Sequence, residues 1–181
     1  SNDDIVSGAP DWGRRKTVIL AGNHTGWLDP LIVGAIFERR TRFLVMEEAM
    51  NWPVIGQLAS MLGAIPLKRG KGIDALKAAE VCLSKGESVL IFPEGKLTKD
   101  GSIGEFQSGV GRLQKDTQCP IVPFAISGGF EAWPKGRKTP RPAAIRIAIG
   151  RPLQVKELND LSVDEISQLL HDRVQDLKNN G

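Results

Sequence analysis

The sequence predicts an α/β domain in which helices flank one mixed, mostly buried β-sheet. Short continuous apolar runs of strand length alternate along the chain with longer segments of helical periodicity. The runs lack polar alternation, the mark of strands covered on both faces. With 181 residues, 41% of them hydrophobic, the chain can build one core and is too short for two ordinary domains. Residues 1–181 therefore read as a single domain.

Residues 17–22 (TVILAG) are an apolar run closed by Gly and form the first strand. Residues 23–29 (NHTGWLD) have loop character, and Asp29-Pro30 opens a helix, since proline fits a first helical turn. The helix continues over 31–39. A second strand covers 42–46, a second helix runs over 53–62 to Gly63, and a brief strand covers 64–67. The basic loop Lys68-Arg69-Gly70-Lys71-Gly72 follows. A helix over 73–85 turns Leu76, Ala79, Val81 and Leu83 to the core and stops at Gly86. Residues 88–92 (SVLIF) are a buried strand ending at Pro93, with a loop over 93–104 and a helical stretch near 105–117. Strands at 121–126 and 144–149 complete the sheet. Ser162-x-x-Glu165 is a capping box opening an amphipathic helix over about 162–178, whose apolar face is Ile166, Leu169, Leu170, Val174 and Leu177.

Composition narrows the function classes. Charged residues are 25% of the chain, the balance of a folded domain, and no window of 18 apolar residues offers a membrane-spanning helix. Lys and Arg exceed Asp and Glu by 24 to 21, with a pI near 9.0, a mild excess that suits an anionic small molecule or a lipid surface. No basic stripe along a helix and no stacking motif supports nucleic acid as a partner. Cys82 and Cys119 make no disulfide framework and have no metal-ligand spacing, and His24 and His171 lie far apart, so no metal site is expected. The sparse cysteines fit a reducing, cytoplasmic-side setting. The opening Ser1-Asn2 reads as a cloning remnant and the chain as a segment of a longer protein.

In α/β folds ligands collect at the loops leaving the strand ends, here 23–29, 68–72 and 93–104. In the first, His24 can accept a proton, and Asp29 is far enough along the chain to fold back onto its other ring nitrogen. That is the base and orienter of a catalytic triad without its nucleophile. The plainer account is a helix cap at Asp29 beside a satisfied loop histidine. No G-x-S-x-G elbow is present, Cys82 sits in an apolar helix, and Cys119 enters a strand, so the nucleophile must arrive with the substrate as a hydroxyl or water. In the third loop, Phe92-Pro93-Glu94-Gly95-Lys96 offers a carboxylate for a polyol hydroxyl, a glycine for close backbone approach and an ammonium for phosphate. A Pro-x-Gly turn with exposed charges would look the same. In the second, Lys68 and the planar fork of Arg69 suit a phosphate, or simply a solvated basic loop, and the Gly-rich residues after them are not a P-loop.

Taken in order, Asn23-His24-x4-Asp29, Gly63-x5-Arg69, Phe92-Pro93-Glu94-Gly95 and Ile121-Val122-Pro123 resemble the four blocks of the glycerolipid acyltransferase family, the family of 1-acyl-glycerol-3-phosphate acyltransferases, over residues 15–155. The resemblance implies that His24 is the general base for an acceptor hydroxyl and that Asp29 holds it. Arg69 would bind the acceptor phosphate, Glu94 and Gly95 would help shape the acceptor pocket, and Pro123 would belong to a structural or donor-side block. The acyl group would come directly from acyl-CoA or acyl carrier protein, with no other cofactor, and go to a lysophospholipid. Where the phosphatidic-acid-forming members continue with Thr-Arg-Ser, this chain has Lys96-Leu97-Thr98. The phosphate contact is then lost or passed to Lys96. Basic–aliphatic–Thr followed by Gly101-Ser102 is similar to acyltransferase domains fused to acyl-acyl-carrier-protein synthetases, which re-acylate lysophosphatidylethanolamine. Alternatives are a lipid-binding module of the same fold without turnover, and a thioesterase that uses water.

A lipid acceptor implies contact with a membrane surface, from a peripheral position on the cytoplasmic side. Trp12, Trp27, Trp52 and Trp133, with no Tyr in the chain, suit the lipid–water interface. The segment from Trp133 to Arg141 joins one Trp to Lys135, Arg137, Lys138 and Arg141, and is either an anionic-lipid contact or a solvated Pro-rich connection.

Overall fold

The computed structural model describes residues 17–37, 41–51, 53–68, 70 and 72–181. The chain runs β1 (Ile19–Gly22), α1 (Asp29–Ile36), β2 (Thr41–Met46), α2 (Glu47–Met50), α3 (Pro53–Met61), β3 (Ile65–Leu67), α4 (Gly72–Ser84), β4 (Ser88–Ile91), α5 (Gly109–Thr117), β5 (Ile121–Ser127), α6 (Gly129–Ala132), β6 (Arg146–Ile149), α7 (Val155–Leu158) and α8 (Val163–Asn180). Six strands form one sheet in the order β3-β2-β4-β1-β5-β6. The first five strands are parallel and β6 pairs antiparallel with β5, from Ser127↔Arg146 to Phe124↔Ile149.

Strand alternation divides the core into two layers, one on each face of the sheet. Ile19, Ala21, Val89, Ile121 and Ala125 face α4, α5 and α8, meeting Ala79, Leu83, Val110, Leu113, Ile166 and Leu170. Val18, Leu20, Leu90, Val122, Phe124 and Ile126 face the other way, against Val33 of α1 and Ala59 of α3. Both layers are fully buried at the centre, where each large aliphatic side chain contributes roughly 1.5–3 kcal/mol relative to exposure. The strands therefore need apolar residues on both sides, which is why they read as continuous runs.

Several boundaries differ from the sequence expectation, each for a local reason. The stretch expected to be helical near 105–117 becomes helix only at Gly109, because the Gln107 N–H is taken by the Pro93 carbonyl at 2.9 Å, which holds 105–108 against the preceding loop. β6 begins at Arg146, where its pairing with Ser127 begins. On α4, Val81 is 51% exposed and Cys82, at 6%, takes the inward position. Burial pushes the Cys82 thiol pKa up, which keeps it protonated and unreactive. The four-residue helices α2, α6 and α7 are too short to carry a periodic signal. The Ser162 capping box is present: the Ser162 N–H donates to Glu165 Oε2 at 2.7 Å and the Glu165 N–H to Ser162 Oγ at 3.2 Å. No helix among the described residues is long and apolar enough to cross a membrane.

Topology selects the functional end of the sheet. β1 and β4 are neighbours, yet the chain leaves β1 toward β2 through α1 on one face and leaves β4 toward β5 through α5 on the other. Their carboxyl ends thus feed loops that part to opposite faces, the topological switch point at which α/β sheets bind ligands.

Candidate active site

The loop from β1 to α1 is built around Asp29. This residue begins α1 and is followed by Pro30, so its side chain is free to turn back over the preceding loop. Asp29 Oδ2 accepts the Thr25 N–H at 2.5 Å and the Gly26 N–H at 2.8 Å, and Thr25 Oγ1 donates to Oδ1 at 3.1 Å. The same Oδ2 lies 3.0 Å from His24 Nδ1. Asp29 makes no side-chain cap of α1, so the plainer helix-cap account of this residue fails. Its carboxylate is fully buried, while the His24 side chain remains 18% exposed. With Nδ1 given to Asp29, the proton on that nitrogen is fixed and Nε2 is left as the basic atom. Nε2 makes no hydrogen bond among the described residues.

The ring and backbone of His24 are held from the β4 side. The imidazole stacks on Phe92 with ring centroids 4.1 Å apart and planes 13° from parallel, and Phe92 meets Phe124 edge-on. The His24 N–H donates to Glu94 Oε1 at 2.8 Å, and the Thr98 N–H donates to the His24 carbonyl at 3.0 Å. Glu94 is 3% exposed, and its second oxygen, Oε2, accepts the Gly104 N–H at 2.9 Å. Glu94 thus ties His24 to the 93–104 loop, and its oxygens face main chain rather than open space. Gly95 turns that loop at φ +67°, and a Cβ there would approach Gln107 Nε2 to 2.6 Å. Lys96 is exposed beside it. Leu97, where the resemblance has Arg, is buried. Within the loop, hydrogen bonds from the Ser102 hydroxyl and N–H hold the Asp100 carboxyl below the usual carboxylate range. The far end of the loop is anchored on α8 by the Phe106–His171 edge contact and by Lys178 Nζ donating to the Gly101 carbonyl.

Of the expected site residues, the structure brings His24, Asp29, Glu94 and Gly95 together and leaves Lys96 exposed on the same loop. Lys68 is exposed just past β3, and Arg69, like Trp12 and Trp52, lies outside the described residues. Three further contributors stand out, of which Asn23 belongs to the first sequence block but has no role assigned there. The Asn23 side chain pairs with β5 as a strand would, Nδ2 donating to the Ile126 carbonyl at 2.9 Å and Oδ1 accepting the Ile126 N–H at 2.7 Å. Gly129, at the start of α6, lies against the Asp29 loop so closely that a Cβ would meet Thr25 Oγ1 at 2.1 Å and Asp29 Oδ1 at 2.7 Å. Gly104, which donates to Glu94, also went unmarked. Among the described residues no group of three or more His, Cys, Asp or Glu could hold a metal ion.

Known proteins resemble this chain in sequence and in fold. The acyltransferase family profile matches residues 5–127. The 1-acyl-sn-glycerol-3-phosphate acyltransferase of Limnanthes douglasii is 27% identical over 162 residues, 87% of this chain and 58% of that protein. The lyso-ornithine lipid O-acyltransferase of Pseudomonas aeruginosa is 32% identical over 116 residues, 62% of this chain and 44% of that protein. The crystal structure of PlsC, the 1-acyl-sn-glycerophosphate (LPA) acyltransferase of Thermotoga maritima, superposes with a TM-score of 0.79 at 26% identity, covering 98% of this chain and 71% of that one. The chain spans about half the length of the curated relatives it matches. It belongs to the acyltransferase family.

Proposed function

We propose that this chain is an O-acyltransferase that moves a fatty acyl group from an acyl thioester to the free hydroxyl of a lysophospholipid. The observation that carries the reading is the His24–Asp29 pair, with Nδ1 held at 3.0 Å by a buried carboxylate and Nε2 uncommitted on a partly exposed ring. A base so prepared, with no Ser or Cys hydrogen-bonded to its ring among the described residues, suits a reaction in which the acceptor brings the nucleophile.

In the reaction, Nε2 removes the acceptor's hydroxyl proton as the oxygen attacks the thioester carbonyl. Collapse of the tetrahedral adduct breaks the C–S bond, and the imidazolium returns its proton to the leaving thiolate. The products are an ester and a free thiol, and no acyl-enzyme forms. Asp29 keeps the tautomer and stabilises the imidazolium. Glu94 fixes the position of the base by holding the His24 N–H, and Gly95 shapes the acceptor side of the loop. Lys68, Arg69 and Lys96 are assigned to the acceptor's phosphate.

The acceptor is a lysophospholipid such as 1-acyl-glycerol-3-phosphate or lysophosphatidylethanolamine, and the donor is acyl-CoA or acyl carrier protein. Relatives named for a glycerophosphate acceptor and for a lyso-ornithine lipid acceptor support the lipid class. The chain would work from the cytoplasmic face of the membrane as a peripheral protein. The test is labelled-acyl transfer across a panel of lysophospholipids. His24→Ala is expected to lower transfer by about 10³-fold or more at unchanged thermal stability. Retention of most activity by that variant, or acyl release that does not depend on the acceptor, would overturn the reading.

A further inference from the structure

Between β5 and β6 the chain makes an excursion, residues 128–145, at the same end of the sheet as His24. It is a built element. The Arg141 N–H donates to the Ala132 carbonyl at 2.9 Å, Arg141 Nε to the Glu131 carbonyl at 2.5 Å, and Trp133 Nε1 to the Arg137 carbonyl at 2.9 Å. Lys135, Arg137, Lys138 and Arg141 are nonetheless exposed, and none forms an ion pair among the described residues.

Charge is distributed unevenly along the sequence. From Ala132 through Lys156 the chain carries seven Lys and Arg (Lys135, Arg137, Lys138, Arg141, Arg146, Arg151 and Lys156) and no Asp or Glu. Removing those seven from the chain's 24 leaves 17 against 21 acids, so the remainder is net acidic. Four of the seven, Lys135, Arg137, Lys138 and Arg141, fall within the excursion, while Arg151 and Lys156 follow β6 toward the start of β5.

The basic excursion also touches the catalytic loop through backbone. The Trp27 N–H, between His24 and Asp29, donates to the Trp133 carbonyl at 3.3 Å, and a Cβ on Gly26 would meet the Gly129 carbonyl at 2.5 Å. Whatever the excursion binds is held beside the base.

We propose that Lys135, Arg137 and Lys138, braced by Trp133 and Arg141, form a docking face for an anionic lipid surface and orient the His24–Asp29 loop toward it. Four exposed cations spread along a projecting loop suit a surface of many anionic headgroups better than a single small anion, which needs converging donors. The rest of the chain has no net positive charge, 17 Lys and Arg against 21 Asp and Glu, so the excursion supplies a local excess that favours approach from this side. The proposal takes its purpose from the acyltransferase reading, but its primary measurement is binding and does not depend on turnover.

The test is co-sedimentation of the full chain with vesicles of phosphatidylcholine alone and of phosphatidylcholine with one-third phosphatidylglycerol. The variant is Lys135→Gln/Arg137→Gln/Lys138→Gln, which spares the bracing Arg141. The wild type is expected to prefer the anionic vesicles by at least about 10-fold, with the preference falling as salt rises. The variant should lose about 5-fold per cation at an unchanged melting temperature. Its turnover on a monomeric short-chain acceptor should match the wild type, while turnover on a vesicle-borne acceptor drops. Equal wild-type binding to both vesicles, or undiminished binding by the variant, would overturn the proposal. So would a defect seen only with acyl carrier protein as donor at intact vesicle binding, which would assign the face to an acidic protein. Vesicle binding that follows this pattern without any acyl transfer would uphold the docking face and sink the acyltransferase reading instead.

Discussion

Asp29 and Glu94 are both buried carboxylates, 0% and 3% exposed, and each reaches His24 with one oxygen. Asp29 meets the ring at Nδ1, from five residues along the same loop, while Glu94 meets the backbone N–H from across the switch point. On the proposed mechanism the difference lies in which property of the base each controls. Asp29 meets the ring nitrogen opposite Nε2 and would stabilise the charge that Nε2 develops. Glu94 touches an atom that never changes protonation and can act only through position. Two residues alike in type and burial therefore have separable expected effects on chemistry, and that separation can be attacked experimentally.

The largest effect that separates them is expected from Asp29→Asn. The amide oxygen can take the Oδ2 place and keep the Thr25, Gly26 and His24 donors, with the NH2 turned to Thr25 Oγ1, so what the substitution removes is the negative charge. Turnover should fall by about 10²–10⁴-fold, mainly in kcat. A loss confined to KM, with kcat retained, would mean that Asp29 acts only as scaffold, which would erase the distinction from Glu94.

Next comes Gly129→Ala, which presses on the same carboxylate without changing its chemistry. The added methyl must displace Thr25 Oγ1 or Asp29 Oδ1, neither of which has room to yield inside a saturated network. Overpacking of this kind costs roughly 1–3 kcal/mol, read as a lower melting temperature. Activity should fall about 10-fold or more. Wild-type activity in this variant would show that the Asp29 loop tolerates displacement.

These cases show what sequence can and cannot disclose. The strands could be read because a two-sided sheet demands apolar residues at every position, and His24 and Asp29 could be read because both partners fall in one short loop. Glu94 could be picked out but not its role, since its partners, the N–H groups of His24 and Gly104, carry no residue signature and the first lies 70 positions away. Gly129 could not be picked out at all, because its contribution is the absence of a Cβ against a loop a hundred residues distant. Asn23 likewise works through the main chain of Ile126. Backbone-to-backbone fit is specified by the fold, and only its side-chain consequences reach the sequence.

Glu94→Gln should be milder. A glutamine keeps one acceptor for either the His24 or the Gly104 N–H and leaves the other facing an NH2 group, at a cost of about 1–3 kcal/mol in stability. Turnover is expected to drop about 10-fold. Gly104→Ala probes the same contact more gently, since its Cβ would sit 3.1 Å from Glu94 Oε2 and a small shift accommodates it. A kcat loss as large as that of Asp29→Asn would mean that this carboxylate acts on the ring itself and not only on its position.

The smallest effect belongs to Asp100, and its value lies in its pH window. Hydrogen bonds from Ser102 lower its carboxyl below the ordinary value of 3.8, so the folded form favours the ionised state. Its contribution is then fully present above that ordinary value and is lost only as pH falls through the lowered folded one. The melting-temperature difference between the wild type and Asp100→Asn should therefore stay constant from neutrality down to the ordinary carboxylate value and narrow only in stronger acid. A difference that already narrows well above that value would tie the pH response of the 93–104 loop to a group other than Asp100, and the loop could no longer be treated as a passive partner in placing Glu94.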